Sequence, residues 1–265
     1  MKPEISIVTV TMNHLTLLKQ MLHSLFITCP PKVSFEVILV DNNSTDGTVA
    51  YVGKEYPSVH LIENKQTYGF AKNNNIGAAR AQGKYILILN PDIVLLPDAI
   101  DILYNYLKEN ESVGIVAPKL LNPDHSIQRS ARNFMSIKLL IYRMITFGKD
   151  DTRNTTVQAY LAPNLSNEEP ATVDWCLGAA LLFRSDFYRE LGGFDEHFFL
   201  YVEDTDICQR CWFAGKSVVY HPQARMIHAH QRNSARFSRK TLIHLKSHYY
   251  FFKKNRFRIK RHPLK

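Results

Sequence analysis

Hydrophobic and polar positions alternate in blocks along the first hundred residues, and these blocks predict a regular succession of strands and helices. Continuous apolar runs rich in β-branched residues are typical of strands buried on both faces, and they occur in EISIVTVTMN, FEVILVD, VHLIE and KYILILN. Between them, HLTLLKQMLHSLFIT and AKNNNIGAARAQG place apolar residues at helical spacing. The order β-α-β-α-β-α-β predicts a parallel sheet wrapped by helices, in the α/β class.

Polar residues follow these strands where each strand ends. The carboxyl ends of parallel strands meet at one edge of a sheet, and ligands bind there. The residues concerned are Thr11, Asn13, Asp41, Asn42, Asn43 and Asp92. A lone aspartate after a strand is most often a turn former, but Asp92 follows a buried run through Asn90 and Pro91 and shares its edge with a second acid. This favours a site for a metal ion or a phosphate.

The second half of the chain is less regular. LPDAIDILYNYLKEN predicts a helix, VGIVAPKLL a strand, and the polar stretch 122–170 a variable loop region. Farther on, we expect strand, helix and glycine turn in VDWCLGAALLFRSDFYRELGGFD, and a new helix beginning near Glu203, Asp204 and Asp206. Acids in a first helical turn suit the helix dipole, yet three acids in four positions exceed what a cap requires. His228 and His230 alternate along a later strand-like segment and offer imidazole ligands for a cation.

Composition and charge narrow the range of functions. The chain has 265 residues, 45% of them hydrophobic, which is globular composition. The net charge of +9 comes from the C-terminal part, because no Asp or Glu follows Asp206. Such a basic block indicates a partner with phosphates: a nucleotide, a nucleic acid or an anionic membrane. Neither a signal peptide nor a membrane-spanning run is expected, so we expect a cytoplasmic protein. Its basic amphipathic tail either packs on the domain or contacts the inner face of the cytoplasmic membrane.

Several motifs together resemble one enzyme family. The motifs are VTVTMN, LVDNNSTDGT, GFAKNNNIGA, LILNPDIVL, VDWCLGAALLFRSDFYRELGGFDEHFFLYVEDTDICQR and VVYHPQARMIHAHQRNS, and they cover residues 4 to about 236. In this order they resemble the inverting nucleotide-sugar glycosyltransferases of family two, above all the rhamnosyltransferase-like branch. The resemblance implies a GT-A (nucleotide-diphospho-sugar transferase) fold in residues 1–236, with a nucleotide-binding half at 1–100 and an acceptor half at 101–236. A basic helical tail at 237–265 completes the single domain.

The resemblance also implies a role for individual positions. Donor binding falls on Thr9, Thr11, Asn13, Asp41, Asn43, Lys72, Asn75 and Asp92. Asp92 is the one acid left in a metal motif whose other position is Asn90, so Mg²⁺ or Mn²⁺ would need a further ligand, for which His228 is the candidate. Asp204 matches the catalytic base, and Glu203 is the alternative.

The acceptor would lie beside the base. The resemblance implies contacts from Trp175, Gly178 and Tyr201, since an aromatic face suits the apolar face of a sugar. For Trp175, packing in the core is an equally good interpretation, because tryptophan is often buried for its area alone.

The implied activity is inverting transfer of rhamnose, or another hexose or deoxyhexose, from a dTDP- or UDP-sugar to a saccharide or lipid-linked saccharide. Such a reaction belongs to the biosynthesis of surface polysaccharides such as lipopolysaccharide. Two alternatives stay open: an inactive protein that binds nucleotide-sugar or polysaccharide, and a basic nucleic-acid-binding protein. The acidic edge of the sheet argues against nucleic acid. A nucleotidyltransferase is disfavoured because TVTMNHLTLL lacks the glycine-rich phosphate loop.

Overall fold

A central mixed sheet organises the computed structural model, which describes residues 2–146, 153–162, 165–166, 168–229 and 239–255. His230 and the ends of the predicted tail, at 237–238 and 256–265, lie outside the described residues. The strands are Ile5–Thr11 (β1), Phe35–Asp41 (β2), His60–Glu63 (β3), Tyr85–Leu89 (β4), Ile93–Leu95 (β5), Val113–Leu121 (β6), Ala131–Arg132 (β7), Ala171–Val173 (β8), Trp175–Cys176 (β9), Ala180–Arg184 (β10) and Ser217–His228 (β11).

The first four strands form the parallel unit that the sequence predicts. The main sheet has the order β3-β2-β1-β4-β10-β6-β11-β5, with β8 added beside β11. Strands β3, β2, β1 and β4 are mutually parallel, whereas β10 enters antiparallel between β4 and β6. A separate ribbon pairs β7 with β9. The antiparallel entry of β10 brings its first residues to the edge where β4 ends, and this places the candidate site.

Helices cover the sheet. They are Leu15–His23 (α1), Thr48–Glu55 (α2), Phe70–Ala78 (α3), Ala99–Glu109 (α4), Ile137–Ile145 (α5), Thr155–Leu161 (α6), Ser185–Glu190 (α7), Glu203–Phe213 (α8) and Arg239–Lys254 (α9), and α1 continues into a π-helical turn at Ser24–Thr28. The predicted loop region 122–170 was partly wrong, because α5 and α6 form there. Ser136 and Asn154 begin these helices, each accepting hydrogen bonds from backbone N–H groups of the first turn.

Two hydrophobic cores lie on opposite faces of the sheet, as the near-continuous apolar strands require. Ile5 and Ile7 of β1 pack in the core with α1 and α4, while Val8 packs in the other core with α3, α7 and α8. A third cluster joins Phe198 and Val202, which precede α8, to Phe251 of α9. Among the described residues, no helix combines the length and the apolar character needed to cross a bilayer.

Candidate active site

The turn after β4 holds Asp92 at the edge of the sheet. The backbone N–H of Asn90 donates to the carbonyl of Ala179 (2.8 Å), and the carbonyl of Asp92 accepts from Ala229 N–H (2.9 Å). The segment Asn90–Asp92 is therefore fixed on one side to the start of β10 and on the other to the end of β11. The proline-containing turn thus ends the buried strand β4 and places the Asp92 carboxylate where β4, β10 and β11 meet.

His228 lies beside Asp92. Strand β11 runs antiparallel to β5, with His228 opposite Ile93, and the imidazole Nε2 is 3.4 Å from Asp92 Oδ1. On its other side, the ring Nδ1 lies 2.6 Å from Oε1 of Gln128. An amide oxygen can only accept, so Nδ1 carries the proton, and in the neutral ring the Nε2 lone pair is directed at a carboxylate oxygen.

Asp204, in the first turn of α8, belongs to the same junction. Its Oδ2 accepts the backbone N–H of Gly178 (3.0 Å), and its Oδ1 accepts the N–H of Thr205 (2.7 Å). Gly178 precedes Ala179, which holds the Asp92 turn. A single dipeptide thus contacts both acid-bearing segments. A Cβ atom built on Gly178 would lie 3.2 Å from Cβ of Asp204, so the close approach favours glycine.

The pKa values of the two neighbouring acids are both raised, but from different surroundings. Burial raises the pKa of Asp204, while the hydrogen bonds from Gly178 and Thr205 and the charge of Arg132 oppose that rise. Burial and the charge of Asp204 raise the pKa of Glu203 well above its ordinary value. Oε2 of Glu203 is buried without a hydrogen-bond partner in the part of the chain that the structure describes. Burial without a hydrogen-bond partner thus disfavours the charged form of Glu203, whereas the two N–H donors and the charge of Arg132 favour the carboxylate form of Asp204.

Arg132 is a member of the site that the sequence did not reveal. It lies on the β7–β9 ribbon, opposite Trp175. Its guanidinium lies 5.3 Å from the ring centre of Tyr160 and 5.6 Å from that of Trp175, and it donates to the Tyr160 hydroxyl (3.0 Å). The spacing of residues in the polar stretch SIQRSARNF does not single out an arginine. Arg132 could therefore be assigned to the site only from the pairing of β7 with β9.

The backbone just before the acids is strained. Tyr201 and Val202 have φ angles of 71° and 74°, a left-handed conformation that costs on the order of 1–3 kcal/mol for a residue with a side chain. Val202 is β-branched, which makes this conformation still less favourable. Buried contacts with Phe198 and Phe251 hold it there. The direction in which α8 begins, and with it the position of Asp204, therefore depends on α9.

The predicted donor side lies at the carboxyl ends of β1 and β2. Thr11 is paired with Asp41 across the two strands, and Thr9 and Thr11 continue the face of β1 that Ile5 and Ile7 bury. The hydroxyls of both threonines and Oδ1 of Asp41 are buried without a hydrogen-bond partner among the described residues. Clustered buried polar atoms of this kind are expected where a ligand supplies the missing hydrogen bonds.

Other predicted donor residues have local contacts. Asn13 and Asn43 are exposed and adopt positive φ, and Oδ1 of Asn13 accepts Thr45 N–H (2.8 Å), which joins the two loops. Lys72 is half-buried, with its ammonium 4.1 Å from the centre of the Tyr68 ring.

Asn75 has a different position from the one expected. Its amide nitrogen donates to Phe194 O (2.8 Å) and Glu196 Oε1 (3.0 Å), and its oxygen accepts from Phe194 N–H and the Tyr188 hydroxyl (2.9 Å each). These four hydrogen bonds use the amide fully, so they make Asn75 an anchor between α3 and the loop before α8.

The three predicted acceptor residues have different surroundings. Trp175 is only 6% exposed, and its indole N–H donates to the carbonyl of Asn133 (3.0 Å); of its two interpretations, core packing fits this placement better. Gly178 is buried against Asp204 as described above. Tyr201 is half-buried directly before α8 and stacks edge-on against His244 of α9 (4.9 Å).

Comparison with known families is consistent with this geometry. The model of the family described as "Glycosyl transferase family 2" matches residues 6–165, more than half of the chain. The chain belongs to glycosyl transferase family 2. It is 32% identical over 254 residues to N-acetylglucosaminyl-diphospho-decaprenol L-rhamnosyltransferase of Mycobacterium tuberculosis, an alignment that covers 92% of this chain and 80% of that protein. It is also 32% identical over 231 residues to the rhamnosyltransferase WbbL of Escherichia coli, with 83% of each chain covered.

Solved structures show the same fold. GalNAc-T7 with UDP, GalNAc and Mn²⁺ superposes with a TM-score of 0.71 at 18% identity, covering 95% of this chain and 48% of that one. The chain thus spans about half the length of GalNAc-T7. The mannosyltransferase PcManGT of Pyrobaculum calidifontis, with GDP-Man and Mn²⁺, gives 0.66 at 19% identity, covering 98% and 66%. The expected GT-A fold, a mostly parallel sheet flanked by helices in a single domain, is confirmed.

Proposed function

We propose that this chain is an inverting glycosyltransferase that moves rhamnose, or a similar hexose or deoxyhexose, from a dTDP- or UDP-sugar to a lipid-linked saccharide during surface polysaccharide biosynthesis. The Gly178–Ala179 dipeptide carries the proposal, since it joins the Asp92 turn to Asp204. Inverting transfer needs one group near the leaving diphosphate and a base near the incoming hydroxyl, and both must lie at one cleft. The two relatives at 32% identity, both named as rhamnosyltransferases, support the sugar.

We assign donor binding to the orphaned polar atoms at the ends of β1 and β2. Thr9, Thr11 and Asp41 would supply hydrogen bonds to the nucleotide, and Lys72, at the start of α3, would approach its phosphates. Asn13 and Asn43 shape the loops above this pocket. Asn75 supports the pocket through α3 rather than by direct contact.

A divalent cation fits the pair formed by Asp92 and His228. A carboxylate oxygen and an imidazole lone pair 3.4 Å apart repel each other unless a proton or a cation is shared between them. A carboxylate together with phosphate oxygens suits Mg²⁺ or Mn²⁺, and an imidazole can serve as a further ligand to a transition-metal ion. No group of three His, Cys, Asp or Glu that could hold a metal occurs within the described residues, so diphosphate oxygens and water would complete the coordination. When bound, the cation neutralises charge on the departing diphosphate.

Asp204 is assigned the proton transfer. Its carboxylate, oriented by the N–H groups of Gly178 and Thr205, would accept the proton of the acceptor hydroxyl as the oxygen attacks the anomeric carbon. Direct displacement from the face opposite the diphosphate inverts that carbon. The raised pKa of Glu203 favours its neutral form, which would limit the negative charge beside the base. Tyr201 and Gly178 would border the acceptor sugar.

Replacing Asp204 by asparagine tests the assignment. The variant keeps the shape of the side chain and the Gly178 hydrogen bond but loses the base, so kcat should fall by about 10²–10⁴-fold while donor affinity stays within a few-fold. Transfer of sugar from dTDP-rhamnose to a diphospholipid-linked N-acetylglucosamine is the readout, with donor affinity measured by calorimetry. Asp124→Asn, in an exposed turn, is the control. Undiminished turnover of the Asp204 variant would exclude this residue as the base.

The same assay separates the alternatives. A catalytically inactive binding protein would bind the nucleotide-sugar without transfer in the parent chain. A nucleic-acid-binding protein would show affinity for duplex DNA that falls steeply with salt and would show no affinity for nucleotide-sugars.

A further inference from the structure

Helix α5 presents an apolar stripe to solvent. Ile137, Ile141 and Ile145 recur every four residues, so they lie along one side of the helix, and they are 38%, 52% and 72% exposed. We call these three side chains the isoleucine face. The opposite side of α5 is already used, because Leu139 is buried among residues of α6 and Trp175. The isoleucine face is therefore additional to what the fold needs.

Basic residues accompany this face along the chain. From residue 125 to residue 146 the sequence contains no Asp or Glu, but it contains Arg129, Arg132, Lys138 and Arg143. Lys138 and Arg129 are exposed. A helix with apolar side chains on one side and basic residues around them is the kind that lies in the interface of an anionic bilayer.

The neighbouring helix has the same character. Arg143 of α5 lies close enough to His248 of α9 to contribute to its lowered pKa. Between residues 239 and 254, α9 has five Lys and Arg and no acid. Leu242 and Tyr249, seven residues apart on α9, are 57% and 62% exposed. The two helices thus combine exposed apolar side chains with a single sign of charge.

We infer that the isoleucine face and the basic residues around it bind the surface of an anionic lipid bilayer. A second copy of this chain fits less well. Three isoleucines are far fewer than the roughly 20–30 residues a side of a stable protein interface, and two faces with the same positive charge would repel each other. An anionic bilayer offers charge of the opposite sign and accepts a narrow apolar stripe.

The position of the isoleucine face in the chain relates it to the proposed function. α5 follows β7 after four residues, and Arg132 of β7 acts on the pKa of Asp204. The isoleucine face therefore belongs to the helix that follows Arg132 in the chain, and a bilayer bound there would bring a lipid-linked saccharide to the element next to the ribbon that carries Arg132. This use rests on the proposed function, whereas binding to vesicles needs no catalysis, so the two can fail separately.

Cosedimentation with vesicles tests the inference. The probes are vesicles of phosphatidylglycerol mixed with phosphatidylcholine, and vesicles of phosphatidylcholine alone. The full chain should bind the anionic vesicles, with weaker binding at high salt. Ile141→Ser combined with Ile145→Ser should reduce the partition coefficient by roughly tenfold. Lys138→Glu should reduce binding to the anionic vesicles and leave the weak binding to neutral ones unchanged.

A matched double variant controls for the loss of exposed apolar surface elsewhere on the protein. Ile27 and Phe213 are 64% and 50% exposed at other places on the surface, so Ile27→Ser with Phe213→Ser removes comparable apolar surface and should bind like the parent. Circular dichroism confirms that both double variants fold. Equal binding by the two double variants would overturn the inference. Two other results would also overturn it. One is unchanged vesicle binding of the α5 variant together with complete loss of vesicle binding in a chain that ends at Asn255. The other is a dimer in solution that the α5 substitutions dissociate.

Discussion

One backbone N–H group fixes the position of the proposed base. Gly178 donates to Asp204, and the next residue, Ala179, accepts from the Asp92 turn. The surroundings of the two acids differ. Burial raises both pKa values, but Asp204 accepts two N–H groups and is acted on by the charge of Arg132, whereas Oε2 of Glu203 has no hydrogen-bond partner among the described residues. Two acids adjacent in sequence thus differ in how strongly the protein favours their charged forms.

The charge of Arg132 should be visible in the pH profile of the enzyme. Because Arg132 lowers the pKa of Asp204, Arg132→Gln should raise that pKa and move the acidic limb of kcat/KM to higher pH. At pH 6 the variant should therefore lose more activity than at pH 8. Arg132→Lys, which keeps the charge, should keep the limb near its parental position. An unchanged limb in Arg132→Gln would show that Arg132 does not act on the base.

Gln128 should control metal affinity without touching the metal. Its oxygen holds Nδ1–H of His228, which leaves Nε2 available on the Asp92 side. Gln128→Ala should weaken Mn²⁺ binding in the presence of UDP or dTDP by roughly 10–100-fold, the usual effect of removing such a partner. Electron paramagnetic resonance of Mn²⁺ measures the affinity directly. Gln223→Ala is the control, because Gln223 lies on the same strand as His228 but is exposed. Equal Mn²⁺ affinities in the two variants would exclude His228 as a ligand.

At the scale of elements, α9 braces the loop that precedes α8. Lys254 contacts Asp195 in the loop and Asp206 in α8, at 2.7 Å each, and the Ser247 hydroxyl donates to Leu200 O (2.9 Å). Burial acts to raise the pKa of Asp195, but the hydrogen bonds from Lys254 and His197 outweigh it and lower that pKa. The strained Tyr201–Val202 backbone is thus held by both apolar and charged contacts from one helix.

Lys254→Met should destabilise the protein at neutral pH. It leaves the buried Asp206 with Arg210 as its remaining cation among the described residues and removes the main stabiliser of the Asp195 carboxylate, so we expect a loss of about 1–3 kcal/mol. The lowered pKa of Asp195 contributes stability above its unfolded-state value and loses it as the pH falls, so the difference from the parent should shrink toward pH 3. Urea unfolding measures this. Lys84→Met, which breaks an exposed pair with Glu4, should change stability much less than Lys254→Met does.

At the scale of the whole molecule, two cores on one sheet leave the carboxyl edge free for polar groups. The antiparallel strand β10 connects the halves, since it pairs with β4 on one side and β6 on the other. Polar groups of β1 and β2, the Asp92 turn of the first half and Asp204 of the second half meet at this edge. The added helix α9 buries Phe251, Phe252 and His248, so its docking contributes to global stability.

His248 makes that stability depend on pH. Burial, His244 and Arg143 lower the pKa of His248 to about 3. Between its unfolded pKa near 6.5 and about 3, the unfolded chain binds a proton that the native protein does not, so stability falls as the pH falls, by up to about 1.4 kcal/mol per pH unit. His248→Gln should flatten the decline between pH 6.5 and 5.0 in urea unfolding. A slope equal to the parent's would show that the imidazole is not buried in the neutral form.

The sequence by itself determined the parallel β3-β2-β1-β4 unit, the acids at its carboxyl edge and the family, because local hydrophobic patterns and ordered motifs are properties of short segments. The tertiary structure decided what depends on contacts between distant segments. Pairing of β7 with β9 brought Arg132 to the base, β11 brought His228 to Asp92, and the loop before α8 took up the Asn75 amide. The sequence did not predict helices α5 and α6, because polar capping residues and short apolar runs are also typical of loops, and these helices are stabilised by packing on a core. Strand order and long-range hydrogen bonds are set by packing between segments that can lie more than a hundred residues apart, and no local pattern encodes them.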